Sequence, residues 1–235
     1  MVIMHRQPFI KGLAMMMVFL AMLALMFFPI FQGENAFYAS DRLFNSIAKG
    51  STHYVPALLE ESEQYHGKSI AVSLEVGREE NAQEMAMILR AAGVNVKESP
   101  GKFEIQGNLG TILKTALQDA DDMFFNRGAN VSSRHGMGER RALYAWWRAL
   151  KGIERGLRGQ ELFNEAAFVD KVVTRGIEVG YNFYTIEPES ATSKASSLSF
   201  SLIFYVLYTL WWGFAIFYLM EGLGLQLTAG VKKEV

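Results

Sequence analysis

Two uncharged runs, one near each end of the chain, decide most of what this sequence can become. From Leu13 to Phe31 there are nineteen consecutive residues without a charge, dominated by Leu, Met, Ala and Phe. At about 1.5 Å per helical residue the run crosses a hydrocarbon layer of about 30 Å. It is longer than the apolar core of a usual signal peptide and contains Pro29 near its end. The best small-residue cleavage position, Ala36, has Glu34 two residues before it. An uncleaved membrane anchor is therefore expected over 13–31. The second run, 195–220, opens with Ser-rich polar residues and turns strongly apolar from Leu198. Its stretch from Leu198 to Met220 is long enough to span with some tilt.

The flanks set the expected orientation. Arg6 and Lys11 precede the first run and Lys232 and Lys233 follow the second, whereas the opposite flanks carry little positive charge beyond Arg42 and Lys194. Excess Lys and Arg stays in the cytoplasm, so both tails, 1–12 and 221–235, are expected there. The segment 32–194 then lies on the far side, which is the periplasm if the membrane is a bacterial inner membrane and the exterior otherwise. Setting aside Arg6, Lys11, Lys232, Lys233, Glu221 and Glu234 from the chain's 23 basic and 24 acidic residues leaves this segment with a net charge of about −3. By length it is one ordinary domain. The chain has no cysteine, which excludes disulfide scaffolds, thiolate metal sites and thiol chemistry. Its net charge of −1 gives no bulk reason to expect nucleic acid.

Along the central segment, Phe37, Leu43, Phe44 and Ile47 recur at helical spacing, and a second short helix is expected over 56–65; together they would form a stalk on the first span. Ile70, Val72, Leu74 and Val76 alternate as a half-buried strand should. A helix follows, capped by Asn81 with Glu84 three residues on and closed at Gly93. Val94 and Val96 make a second strand, Ser99-Pro100-Gly101 a turn, and Phe103 and Ile105 a third strand. Leu109, Ile112, Leu113, Ala116, Leu117, Ala120, Met123 and Phe124 then share one helix face. The order β-α-β-β-α predicts an α+β domain with a small, mostly antiparallel sheet and helices on one face. In element order alone it resembles ferredoxin-like folds and the peptidoglycan-binding SPOR domains, short of the strand that would follow the second helix. What the resemblance implies is recognition of cell-wall glycan. Beyond a Gly-, Asn- and Ser-rich loop over 128–138, helices are expected over 139–157 and 161–184, then a Pro/Ser linker into the second run.

The helix over 139–157 separates its residue types sharply. Leu143, Trp146, Leu150, Ile153 and Leu157 cluster on one side; Arg140, Arg141, Arg148, Lys151 and Arg155 share another, with Trp147 at the border. A cationic face beside tryptophan suits anionic headgroups or an acidic partner, and its plain alternative is a solvated face paired with nearby acids. Arg134 and His135, among glycines just before this helix, could cradle an anion at its N-terminus. Asp119, Asp121 and Asp122 read as a solvated cluster. The histidines, His5, His53, His66 and His135, lack the spacing of a metal-binding helix, and no nucleophile elbow is present. No catalytic set, metal or cofactor is expected.

In the second run, Ser201, Tyr205, Tyr208 and Trp212 form one stripe, and Trp211 and Trp212 lie halfway along instead of at an interface. Their hydroxyl and indole donors call for partners that hydrocarbon cannot supply and that another protein helix could provide; the alternative is a helix starting nearer Ser201, which shifts some of the aromatics toward an interface. Glu221 is either an interfacial residue or an intramembrane carboxyl. The expected function is a non-catalytic accessory or scaffold subunit of an inner-membrane assembly, with lipid and other membrane-protein subunits as partners. The alternative is a membrane-tethered binding module for cell-wall glycan or a small anion.

Overall fold

The computed structural model describes residues 3–76 and 79–225, with only the backbone for residues 79–81. Lys232 and Lys233 lie outside the described residues. In chain order the elements are α1 (Arg6–Met26), α2 (Ala36–Lys49), α3 (Val55–Ser62), β1 (Ser69–Glu75), α4 (Glu79–Ala91), β2 (Asn95–Ser99), β3 (Lys102–Asn108), α5 (Leu109–Phe124), α6 (Gly128–His135), α7 (Glu139–Gly159), α8 (Phe163–Val172), α9 (Glu178–Asn182) and α10 (Ala195–Gly222). The fold is mostly helical, with one three-stranded antiparallel sheet. The chain divides into two units, one of Met1–Ile47 with Glu189–Val235 and one of Ala48–Pro188.

In the first unit α1 and α10 are long and apolar enough to cross a membrane. Helix α1 starts earlier than the uncharged run, taking in Arg6 and Lys11, and stops at Met26 ahead of Pro29, whose ring disfavours helix in the residue before it. The two helices pack antiparallel: Phe9 meets Gly222, Gly12 meets Ala215 to Leu219, and Phe19 meets Tyr208 and Trp212. A Cβ at Gly12 would sit 2.6 Å from the Leu219 backbone nitrogen, so only glycine permits this approach.

In the second unit the sheet order is β1-β3-β2, with Val72 opposite Ile105 and Val96 opposite Ile105 on the other side. Ile70, Val72, Leu74, Phe103 and Ile105 are buried under the helices, while the alternate residues of β1 and β3 are mostly exposed. The expected strands are all present. After α5, where a further strand would complete the split unit, the chain enters α6. The helix before β2 begins at Glu79, so Asn81 lies in its first turn and not at its cap.

Four local expectations are corrected. The second stalk helix is part of the domain core, because α3 buries Val55 and Leu58 there. The glycine-rich loop over 128–138 is the helix α6, closed by Gly136 in the left-handed conformation at φ 64°. The helix over 161–184 is interrupted by a π-turn, Val173–Ile177. A Cβ at Gly176 would meet Leu117 at 2.8 Å and one at Gly180 the Ala120 carbonyl oxygen at 2.6 Å, so these glycines let the segment lie close on α5. The aspartates of α5 are not a solvated cluster: Asp119 and Asp122 are buried, and Asp121 pairs with His53 and Arg127.

Candidate functional site

The polar centre of the second unit is Asp119, a fully buried carboxylate on α5. A carboxylate only accepts hydrogen bonds, and Asp119 is given three donors. Trp146 Nε1 donates to its Oδ2 at 2.6 Å, His135 Nε2 to the same oxygen at 2.5 Å, and Arg134 to its Oδ1. Arg134 donates a second time, through Nη2 to Asp122 Oδ2 at 3.0 Å. Asp122 Oδ1 also accepts from Arg127 Nε and Asn130 Nδ2, at 2.9 and 3.1 Å. Burial works against the Arg134 guanidinium, but its hydrogen bonds and charge contacts with Asp122 and Asp119 outweigh that and raise its pKa above the ordinary arginine value. The network ties α5, α6 and α7 into one body. Arg134 and His135, the expected anion pair, are thus already occupied by the chain's own carboxylates. His135 Nδ1 is buried with no partner among the described residues.

The opposite face of α7 is different in kind. The five cations that share a face in the sequence divide among four destinations. Arg140 lies over the Tyr181 and Tyr184 rings, 5.4 and 5.1 Å from their centroids, and Arg141 pairs with Glu84. Lys151 is held by Asp170 at 2.7 Å and Glu154 at 3.4 Å. Those contacts raise its pKa, the Asp170 hydrogen bond contributing most. Arg148 and Arg155 make no hydrogen bond or ion pair with any described residue. They line an open cleft of about 360 Å³ together with Glu75, Met85, Trp147, Lys151 and Glu154. Trp147 donates its indole N–H to Glu178 Oε1 at 2.9 Å and stacks on Tyr144, ring centroids 5.9 Å apart. Its other side joins Tyr144, Leu143, Ile177 and Tyr181 around a smaller, largely apolar hollow of about 140 Å³. The half-buried Arg148 and Trp147 and the exposed Tyr144 therefore form an aromatic and cationic strip with polar capacity to spare.

One polar group that the sequence reading missed is Lys49. Its side chain is almost fully buried, with the ammonium donating to the Ile186 and Phe183 carbonyl oxygens at 2.5 and 3.1 Å and to Asn126 Oδ1 at 3.2 Å. Burial lowers its pKa, and Glu187 partly offsets this. It pins the end of α2 to the segment after α9, a structural task.

In the hairpin, the expected protein helix beside the mid-span aromatics is the chain's own α1. Trp211 donates its indole N–H to the Met15 carbonyl oxygen at 3.0 Å, and Tyr208 and Trp212 pack on Phe19 at 4.3 and 4.6 Å between ring centroids. Tyr205 faces away, and the Tyr208 hydroxyl is buried without a partner among the described residues. Lys11 donates to the Tyr218 hydroxyl at 2.9 Å. Glu221 is exposed in the last turn of α10 and makes no ion pair with a described residue.

No protein-family model, curated protein or solved structure matches the chain. Among the described residues there is no group of three or more His, Cys, Asp or Glu that could hold a metal ion. The chemistry available on the α7 face is recognition of negative charge: two guanidiniums that pair with no carboxylate of a described residue, beside an aromatic strip, in an open cleft.

Proposed function

We propose that this chain is a non-catalytic accessory or scaffold subunit of an inner-membrane assembly, held by the α1–α10 hairpin and docking another subunit through the outer face of α7. The observation that carries the reading is the unspent charge of Arg148 and Arg155 next to the Trp147–Tyr144 stack. Arginine and exposed aromatic residues are the side chains enriched at protein interfaces and at their energetic centres. The antiparallel hairpin supports the anchor: if both helices cross the membrane, both tails emerge on one side, and Arg6 and Lys11 mark that side as cytoplasmic. Residues 32–194 then belong to the periplasm. Because α10 spends Tyr208, Trp211 and Trp212 on α1, the docking surface is assigned to the soluble unit before the membrane helices.

Two measurements test this. Purified in mild detergent from native membranes and crosslinked, the full chain is expected to carry a stoichiometric partner crosslinked near α7, and Arg148→Glu with Arg155→Glu is expected to release it. Recovery of the isolated chain alone, or a partner indifferent to both substitutions, would remove the proposal. For orientation, the absence of cysteine allows a single Lys97→Cys on the exposed strand β2. A membrane-impermeant maleimide should label it in intact spheroplasts; failure to label until lysis would invert the topology.

A further inference from the structure

Building on the docking reading above, we infer that the segment taken by the α7 face is an extended acidic peptide, which adds as a fourth strand to the open edge of β1. The sheet order β1-β3-β2 leaves β1 at one edge. In an antiparallel strand both polar groups of a residue point to the same side and neighbours alternate. The Val76 N–H donates to Gly101 and the Lys68 carbonyl accepts from Leu109, so even-numbered residues of this strand face β3. Ser69, Ala71, Ser73 and Glu75 therefore direct their N–H and C=O outward, and all four are exposed. Among the described residues the only one of these groups with a partner is the Ala71 carbonyl, which accepts from Gln160 Nε2 at 2.6 Å.

The other edge is protected. Strand β2 has five residues, with Lys97 and Glu98 ion-paired to Glu104 and Arg90 across its surface. Such charges are the usual guard against an added strand. On β1 the interval between Lys68 and Glu75 contains no charge and no proline, and its exposed side chains are the small Ser69, Ala71 and Ser73.

Charge identifies the occupant. Helix α7 runs alongside β1 in the opposite direction, Gly152 against Leu74, Gly156 against Val72 and Gln160 on Ala71. The cleft with Arg148 and Arg155 reaches Glu75 at the strand's end. Glu154 is committed to Lys151 and Arg158, and Lys151 also to Asp170. Among the described residues that line the cleft, the uncommitted charges are therefore two guanidiniums against the Glu75 carboxylate. A strand added here gains main-chain hydrogen bonds from β1 and presents every second side chain toward α7, where carboxylates are favoured.

The test uses the full chain in neutral detergent and a labelled seven-residue peptide alternating threonine with glutamate, read by fluorescence anisotropy. Saturable binding is expected, at least about tenfold tighter than that of the threonine–lysine counterpart, and weakened about tenfold by Arg148→Ala with Arg155→Ala. Two versions of the acidic peptide, N-methylated on alternate amides in either register, separate strand addition from plain charge contact: one register should lose binding and the other keep it. Ser73→Pro, placed where the N–H points outward and an edge strand tolerates proline, should also abolish binding with an unchanged circular dichroism spectrum. If that variant fails to fold, the methylated peptides decide alone. Equal binding of acidic and lysine peptides, no binding, indifference to both methylation registers, or a β1-to-β1 dimer that excludes the peptide would each overturn the inference. Loss of the native partner on the arginine substitutions alongside indifference to methylation would sink strand addition and leave the docking reading standing. Retention of that partner would sink both.

Discussion

Trp146 and Trp147 are neighbours on one helix, and they sit in opposite kinds of surroundings. Trp146 is buried and spends its indole N–H on a carboxylate that has two further donors. Trp147 is half-buried, shares Glu178 with solvent, and stands beside two guanidiniums that the described fold does not use. A buried polar group left without partners costs more than its hydrogen bond is worth, so the network on the inner face of α7 is paired throughout except at His135 Nδ1. The outer face is under no such demand. Charge left unpaired there is hydrated at little cost and remains available to a partner. The contrast sorts polar residues by whether removing them should damage the fold or only its contacts.

The largest effect should come from the inner face. Asp119→Ala leaves Arg134, His135 and Trp146 donors facing an empty pocket, and breaking a buried pair in this way costs about 3–5 kcal/mol. Urea unfolding of the full chain in detergent, followed by tryptophan fluorescence, should show a domain transition shifted by that amount. Asp119→Asn should recover part of it, since an amide oxygen still accepts from one donor. A shift below about 1 kcal/mol for the alanine variant would mean that the network is ornamental, and the distinction between the two faces would collapse.

Lys49 is the cationic counterpart. Lys49→Met keeps most of the buried chain volume and removes the charge, so the Phe183 and Ile186 carbonyls and Asn126 Oδ1 lose the ammonium and keep only the Ile186 N–H, Asn126 Nδ2 and the Thr185 N–H as donors. A loss of about 2–3 kcal/mol is expected by the same unfolding measurement, with the α7 cleft unaffected.

These two residues also show what was legible in the sequence. Strand β1 was readable because Ile70, Val72 and Leu74 alternate without exception, and α5 because its eight apolar residues share a face. Asp119 reads as solvated from the sequence because it is charged and close to two other aspartates. A signal was present nonetheless: it follows Ile112 by seven residues and Ala116 by three, which puts it at the margin of the apolar arc. Helix α6 is hidden by Gly128, its two serines and the glycines that follow it, whose helix propensity is poor; it forms because Val131 and His135 are buried under tertiary contacts that propensity does not register. Lys49 had no local signal, since its acceptors come from residues more than 70 positions away. The aromatic stripe of α10 was visible, but which helix covers it was a question of pairing, and only the position of Gly12 opposite Ala215 to Leu219 answers it.

Between the extremes lies the Lys68–Glu165 pair, whose carboxylate is mostly buried while the ammonium is partly exposed. The Lys68 hydrogen bond, with that of its own backbone N–H, holds the Glu165 pKa below the ordinary glutamate value of 4.5. Below that value the unfolded chain takes up a proton before the folded one does, so the contribution is complete above pH 4.5 and is lost as pH falls through the depressed folded value. Glu165→Gln should cost about 1 kcal/mol at pH 7 and flatten this part of the acid limb. Comparing urea midpoints of the two proteins from pH 7 to pH 3 checks it. A difference that stayed constant over that range would show that the pair is not what stabilises Glu165.

The smallest effect on stability should accompany the largest effect on recognition. Arg148→Ala with Arg155→Ala removes two charges that no described residue pairs, on a face where substitutions usually stay within about 0.5 kcal/mol. The unfolding midpoint should therefore hardly move while the crosslinked partner is lost. The size of the two responses separates the possible roles: if the double variant were destabilised by as much as Asp119→Ala, these guanidiniums would be part of the structural network after all. If it were neutral in both measurements, the face would be solvated charge and nothing more. Only a stable fold that no longer captures its partner is consistent with cations kept unpaired for another protein.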